Sequence, residues 1–304
     1  MIRLKITWTI IRFFDFITYC KLPKITDIEV IRNIPYTPNK KRKDQRFDLA
    51  LPKKKSLHKV IVNIHGGGWV YGHKDKIYGL YGKSLAKEGY AVATLNYRLA
   101  PKVSLKEQVQ DICACIITLQ DKNRFPMLDM RAIYLVGDSA GAHLSALTAQ
   151  VLSDPKKRDL FGVSLTQKIA AIGLNCGLYY LRGHPEKTDP KRHLTLHMQA
   201  LFQRRDYVES PLFQVANIAE HLNKNFPPTY LMGSEADFLY KDTQKLSEEL
   251  VKHKIPHRLD LFKKEANLTH VFHLRHHLKE SIDVKQRMLE FFNQNNPLIN
   301  KTNI

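Results

Sequence analysis

Short hydrophobic runs alternate along this chain with longer amphipathic stretches. Val60-Ile61-Val62-Asn63-Ile64 is apolar and stopped by three glycines, the pattern of a buried strand. Ile133–Val136, Ile169–Leu174, Thr229–Met232 and His257–Phe262 read as further strands, and Tyr90–Tyr97 returns to β-rich sequence. Between them the spacing predicts helices over 78–88, 104–120, 140–152, 241–253 and 283–293. Strict alternation of strand and helix predicts an α/β fold, with a mostly parallel central sheet and helices on both faces. Phe47–Leu51 alternates apolar and polar positions, as an antiparallel edge strand does.

Two stretches depart from this rhythm. Ile6, Ile10, Phe13, Phe14 and Ile17 recur at helical spacing among Arg3, Lys5, Arg12 and Asp15, so residues 1–26 are expected to form an amphipathic segment. No uninterrupted apolar run there approaches the roughly 20 residues a bilayer span needs. Two readings are open for it: packing onto the body of the protein, or peripheral membrane contact through residues 1–22 with Trp8 at the headgroups. The second stretch, 178–226, is polar and basic with scattered apolar pieces such as His197–Phe202. It is expected to be a helical cap insertion over the carboxyl edge of the sheet, splitting the core into 27–177 and 227–304.

Composition narrows the class. With 43% hydrophobic and 25% charged residues among 304, the chain is neither disordered, collagen-like nor a multi-pass membrane protein. The length suits one large α/β domain carrying an insertion. Lys and Arg exceed Asp and Glu by 48 to 29, leaving a net charge of +19, which favours anionic partners without determining fold. The basic runs Lys40–Lys43 and Lys53–Lys55 lack interleaved aromatics, so a nucleic-acid partner is not expected. Cys20, Cys113, Cys115 and Cys176 have no zinc-type pairing and are too few for a disulfide framework, which points to a reducing, cytoplasmic compartment.

The chemistry sits at strand ends. Gly137-Asp138-Ser139-Ala140-Gly141 has the G-x-S-x-G form of a nucleophile elbow, and it follows a predicted strand and opens a predicted helix, as that turn requires. His65-Gly66-Gly67-Gly68-Trp69 directly follows strand 60–64. Consecutive glycines let backbone N–H groups approach a developing oxyanion. A serine nucleophile needs a base and the base needs an orienting carboxylate, here in the chain order Ser, acid, His. Asp237 lies just past strand 229–232, with Glu235 and Asp242 as alternatives, and His270 follows strand 257–262, with His273 as its alternative.

HGGGW and GDSAGAH, with Asn96-Tyr97-Arg98-Leu99-Ala100-Pro101 between them, resemble the α/β-hydrolase esterases related to hormone-sensitive lipase and the neighbouring feruloyl and acetyl esterases. Ser210-Pro211-Leu212 and Phe226–Leu231 resemble the segments before that family's acid-bearing strand, so the likeness runs over roughly 45–290. It implies an α/β-hydrolase fold and a serine ester hydrolase acting on small short-chain esters, with neither metal nor organic cofactor. By resemblance, Ser139, Asp237 and His270 form the triad and the N–H groups of Gly67, Gly68 and Ala140 form the oxyanion hole. The family histidine is commonly followed by Gly, where this chain has Val271. Trp69 and Tyr71 are expected either to line the substrate pocket or to pack. Peptide or amide cleavage on the same triad, and a non-catalytic anion-binding scaffold, are the competing readings.

Overall fold

The computed structural model describes residues 17–39, 41–53, 56–181 and 193–298. Its centre is one eight-stranded sheet in the order β1-β2-β4-β3-β5-β6-β7-β8. In chain order the strands are β1 (Glu29–Pro35), β2 (Arg46–Leu51), β3 (His58–Ile64), β4 (Ala91–Leu95), β5 (Leu128–Asp138), β6 (Ala171–Asn175), β7 (Thr229–Ser234) and β8 (His257–Phe262). β1 pairs antiparallel with β2, and β2 with β4; every later pairing is parallel.

Side chains alternate across this sheet into two cores, the period-2 consequence of the pleat. Val60, Val62, Ile64, Ile133, Leu135 and Leu231 enter one core with helices α2 (Leu105–Leu119), α3 (Ala140–Leu152) and α7 (Tyr240–Lys252). Ile61, Tyr134, Val136, Tyr230 and Met232 enter the other, against α1 (Ile77–Ala86) and α8 (Lys279–Gln294). Both faces are covered, so the parallel strands read as continuous apolar runs. Each fully buried Val, Ile, Leu or Phe contributes about 1.5–3 kcal/mol relative to exposure.

Local signals set the helix ends. Ser104 and Glu107 form a capping box at the start of α2, where the Ser104 N–H donates to Glu107 Oε2 at 2.8 Å. The short helix α4 (Pro155–Phe161) starts at Asp154, whose side chain accepts from the Lys156 N–H, and stops at Gly162 with φ 61°. Neither α4 nor β1 is predicted from the sequence pattern. β1 is an edge strand in which only Ile34 is buried, and α4 buries only Phe161, so neither carries a hydrophobic period.

Among the described residues between β6 and β7 are α5 (His193–Phe202), α6 (Pro211–Ala216) and the 3₁₀ turns Tyr207–Glu209 and Ile218–Glu220. Phe202, Tyr207 and Phe213 cluster there with ring centroids 5.4–6.1 Å apart. The segment is tied to α3: the Gln150 Nε2 donates to the Val215 carbonyl at 3.1 Å, and the His143 ring bonds the Ala216 carbonyl at 2.8 Å. Residues 182–192 of the expected insertion and most of the expected amino-terminal helix lie outside the described residues. Among the described residues no helix is long and apolar enough to cross a membrane, and all four cysteines are free thiols.

Candidate active site

Parallel strands β3, β5, β6, β7 and β8 all end at one sheet edge, and the turns leaving β3, β5, β7 and β8 carry the glycine loop, Ser139, Asp237 and His270. In open α/β sheets this carboxyl edge is where ligands gather. Ser139 follows β5 with φ 51° and ψ −121°, a conformation a non-glycine residue rarely adopts. Its N–H donates to the Asn175 carbonyl at 3.0 Å, and its carbonyl accepts from the His143 N–H at 3.2 Å. The strained turn is therefore held from β6 on one side and from α3 on the other. Strain of this kind costs about 1–3 kcal/mol and persists where the surroundings over-determine it.

Gly141 makes the turn fit. A Cβ there would overlap the Ile64 carbonyl oxygen and come within 2.6 Å of the His65 carbonyl oxygen, both rigid main-chain atoms. Gly141→Ala is expected to lower Tm by roughly 2–5 °C, the overpacking cost of about 1–3 kcal/mol in a domain of this size. An unchanged melting curve would show that α3 does not approach β3 this closely.

The glycine loop follows β3. Gly66 is buried, whereas Gly67 (φ 111°) and Gly68 (φ 56°) are half-exposed and take backbone conformations that favour glycine. The Val70 and Tyr71 N–H groups close this loop by donating to the Gly67 carbonyl at 3.2 and 3.0 Å. Ala140 is the first residue of α3, so its N–H is among the donors that lack an acceptor within the helix. Trp69 is only 2% exposed and packs in the core, its indole donating to His143 Nδ1 at 3.3 Å. Because the indole only donates and the Ala216 carbonyl only accepts, His143 is a neutral imidazole protonated on Nε2. Burial pushes its pKa down to about 4, in keeping with that form. Tyr71 is half-exposed.

Asp237 and His270 meet. Asp237 lies three residues past β7, where one carboxylate oxygen accepts the Leu239 N–H at 2.8 Å and the other faces His270 Nδ1 at 2.8 Å. The Asp237 side chain is 1% exposed and that of His270 26% exposed. Burial alone would raise the Asp237 carboxyl, but the hydrogen bond and charge of His270 outweigh it and hold the group below its ordinary value. Asp237 therefore stays ionised at neutral pH and fixes the Nδ1–H tautomer, which leaves Nε2 as the basic nitrogen.

The alternatives have other roles. Glu235 pairs with Lys263 at 3.0 Å and accepts the Lys264 N–H, while Asp242 accepts the Tyr179 and Tyr180 N–H groups. His273 is 1% exposed, stacks edge-on against Tyr81, and is pushed down to about 3 by burial. Val271, standing where the related histidine loops have glycine, takes the left-handed φ of 54° that a glycine would take freely. The loop thus holds backbone strain in a β-branched residue.

Two residues at this edge, Cys176 and Tyr78, carry no sequence motif of their own. Cys176, with φ 49° at the end of β6, places its Sγ within 4.8 Å of ligand atoms of both Asp237 and His270. Cys, Asp and His form a donor set that suits zinc, but His270 and Asp237 are already hydrogen-bonded to each other. Burial, and then the charge of Asp237, raises the thiol well above its ordinary range, so Cys176 stays protonated. Tyr78, on α1, donates its hydroxyl to Asp138 Oδ2 at 2.9 Å and accepts the Gly66 N–H at 3.0 Å. Asp138 itself belongs to the serine motif, yet its buried carboxyl is not foreseeable from the pattern.

Burial raises that carboxyl from 3.8 to about 7, against the hydrogen bond from Tyr78 and the charge of His270. The folded chain keeps a proton that the unfolded chain releases, so stability from this group is present below about pH 4 and lost as pH rises to about 7. Thermal melts should therefore show the Tm of the wild type falling relative to Asp138→Asn across pH 4–7, then running parallel above it. A pH-independent difference would refute the buried, proton-retaining carboxyl.

The sequence profile of the BD-FAE family matches residues 47–252, which contain the glycine loop, Ser139 and Asp237. The chain belongs to the BD-FAE family. By fold it is an α/β-hydrolase, and the solved structures it resembles are esterases. Esterase B of Lactobacillus rhamnosis, solved with a C4-C4 SN3 tributyrin phosphonate inhibitor, superposes with a TM-score of 0.88 at 26% identity, covering 99% of this chain and 96% of that one. Two probable isoprenylcysteine alpha-carbonyl methylesterases are also similar to this BD-FAE member. The protein of Oryza sativa subsp. japonica is 31% identical over 153 residues, 49% of this chain and 35% of its own length. That of Arabidopsis thaliana is 30% identical over 200 residues, 64% of this chain and 41% of its own length. The match thus spans less than half of either curated relative.

Proposed function

We propose that this protein hydrolyses short-chain carboxylic esters through an acyl-enzyme formed on Ser139, with His270 as general base and acid and Asp237 as its orienting carboxylate. The observation that carries this reading is the 2.8 Å bond from His270 Nδ1–H to the buried Asp237 carboxylate, made between two separate loops at the edge where the Ser139 turn also sits. His270 Nε2 takes the Ser139 proton as Oγ attacks the ester carbonyl. The N–H groups of Gly67, Gly68 and Ala140 receive the oxyanion. His270 then protonates the departing alkoxide, and a water that it deprotonates releases the acid. Each step needs only a proton carrier and fixed dipoles.

The short-chain preference rests on the tributyrin phosphonate bound by the Lactobacillus relative. Half-exposed Tyr71, and Phe238, which is 75% exposed with its ring 4.6 Å from His270, offer apolar surface to the ester. Residues 178–226 form the cap in this reading, anchored on α3 through His143 and Gln150.

The test is covalent. A butyl phosphonate with a p-nitrophenol leaving group should release one equivalent of nitrophenol, and peptide mapping should place the adduct on Ser139. An adduct on another residue, or turnover of p-nitrophenyl butyrate that survives stoichiometric phosphonylation, overturns the reading. Matched p-nitrophenyl ester and p-nitroanilide substrates separate ester from amide cleavage, the ester being the faster in this proposal.

A further inference from the structure

The glycine loop and the nucleophile turn come from different strands, yet an oxyanion hole works only if their N–H groups are aimed at one point. Pairing of β3 with β5 brings the two loops together, with Ile64 opposite Gly137. Past those residues the ladder ends and something else must fix the remaining distance. Tyr78 stands there, supplied by a third element, α1. Its hydroxyl uses its acceptor on the Gly66 N–H and its donor on Asp138 Oδ2 at the same time. Gly66 immediately precedes Gly67, and Asp138 immediately precedes Ser139. The approach is tight: a Cβ on Gly66 would lie 2.6 Å from Asp138 Oδ2 and 3.1 Å from the Tyr78 hydroxyl. Asp138 is 2% exposed, so this bond lies in a water-poor setting where hydrogen bonds are strong and their loss is costly.

We propose that Tyr78 is a positioning residue for ester hydrolysis, its hydroxyl locking the glycine loop to the nucleophile turn so that Gly67, Gly68 and Ala140 share one oxyanion position. The proposal rests on the esterase reading above. Removing the hydroxyl leaves only the direct approach of the Gly66 N–H to the Asp138 carboxyl between the two loops, and the two sets of donors are then held less firmly to one point. A misplacement approaching 1 Å can cost on the order of 10²-fold in rate. The ground-state ester, whose carbonyl is not yet an oxyanion, loses little.

In the test, Tyr78→Phe and the wild type are each titrated with the phosphonate, so that rates refer to competent active sites. The expected result is a kcat for p-nitrophenyl butyrate lowered by about 10- to 100-fold with KM within about two-fold. Affinity for a butyl trifluoromethyl ketone, which forms a hemiketal oxyanion on Ser139, should fall by the same factor as kcat. A tyrosine that merely packs would lower Tm or the fraction of titratable sites and leave kcat per site and ketone affinity unchanged; that result overturns the proposal. If Tyr78→Phe does not fold, 3-fluorotyrosine at position 78 keeps the hydroxyl and supplies a ¹⁹F signal. That signal should shift on phosphonylation, and a static resonance overturns the proposal equally. Ser139→Ala keeps the two readings apart. If it stays active the esterase mechanism fails, whereas a dead Ser139→Ala beside a fully active Tyr78→Phe refutes only the role of Tyr78.

Discussion

Ser139→Ala is expected to lower kcat on p-nitrophenyl butyrate by about 10⁴–10⁶-fold while leaving KM within a few-fold and abolishing phosphonate labelling. Members of a catalytic triad act as a unit, so loss of the nucleophile removes nearly everything the triad contributes. The residue of activity is what the oxyanion donors supply to attack by water. Alanine keeps the backbone geometry at φ 51° as well as serine does, so the melting temperature should stay close to that of the wild type. Ser139→Gly sharpens the point, because glycine relieves the positive φ. It should be equally inactive yet no less stable than Ser139→Ala, separating the strain of the turn from the chemistry of the hydroxyl. Activity above about 1% in either variant, measured at matched phosphonate-free protein concentration, would remove Ser139 from the mechanism.

What could be read from the chain follows from how each feature is encoded. β3, β5 and β7 are largely buried on both faces, and their apolar runs stand at the predicted places; β8 is a half-buried edge strand, yet His257–Phe262, like Ala140–Leu152, agrees to the residue. β5 extends five residues further toward its start than its apolar run, because Leu128–Ala132 contains Asp129 and Arg131 and pairs with β3 across a register shift. That Asp237 and His270 come together at the edge where the Ser139 turn sits is legible because the parallel strands of an α/β sheet all end there, so local position after a strand predicts spatial neighbourhood. Tyr78 was not legible. It lies 12 residues from Gly66 and 60 from Asp138, inside an ordinary amphipathic helix, and its meaning exists only once three elements converge. His143 and Cys176 are of the same kind, each defined by partners on other elements. The net charge is also reduced in meaning by tertiary pairing. Lys74 is buried on Asp48, and Arg98 makes a bidentate contact with Asp111, so part of the basic excess holds the scaffold together.

Asp237→Asn is expected to cost about 10⁴-fold in kcat, through the tautomer of His270 and not through loss of the fold. In the wild type the carboxylate can only accept, so the proton of the neutral imidazole resides on Nδ1 and Nε2 is free to receive the Ser139 proton. The Leu239 N–H holds the other carboxylate oxygen, which fixes the rotation of the group. An asparagine in the same place keeps its oxygen on the Leu239 N–H and turns its amide NH₂ toward His270. The ring answers by accepting at Nδ1 and carrying its proton on Nε2, where it can no longer act as base. Hydroxide can still deprotonate Ser139 directly, so the residual rate of Asp237→Asn should climb with pH where the wild type has levelled off. Glu235→Gln and Asp242→Asn are the informative controls, since their carboxylates serve Lys263 and the Tyr179–Tyr180 backbone. Each should change kcat by less than about three-fold even if Tm falls. A 10⁴-fold loss in either control, with Asp237→Asn active, would move the acid to that residue and leave the 2.8 Å bond as mere structure.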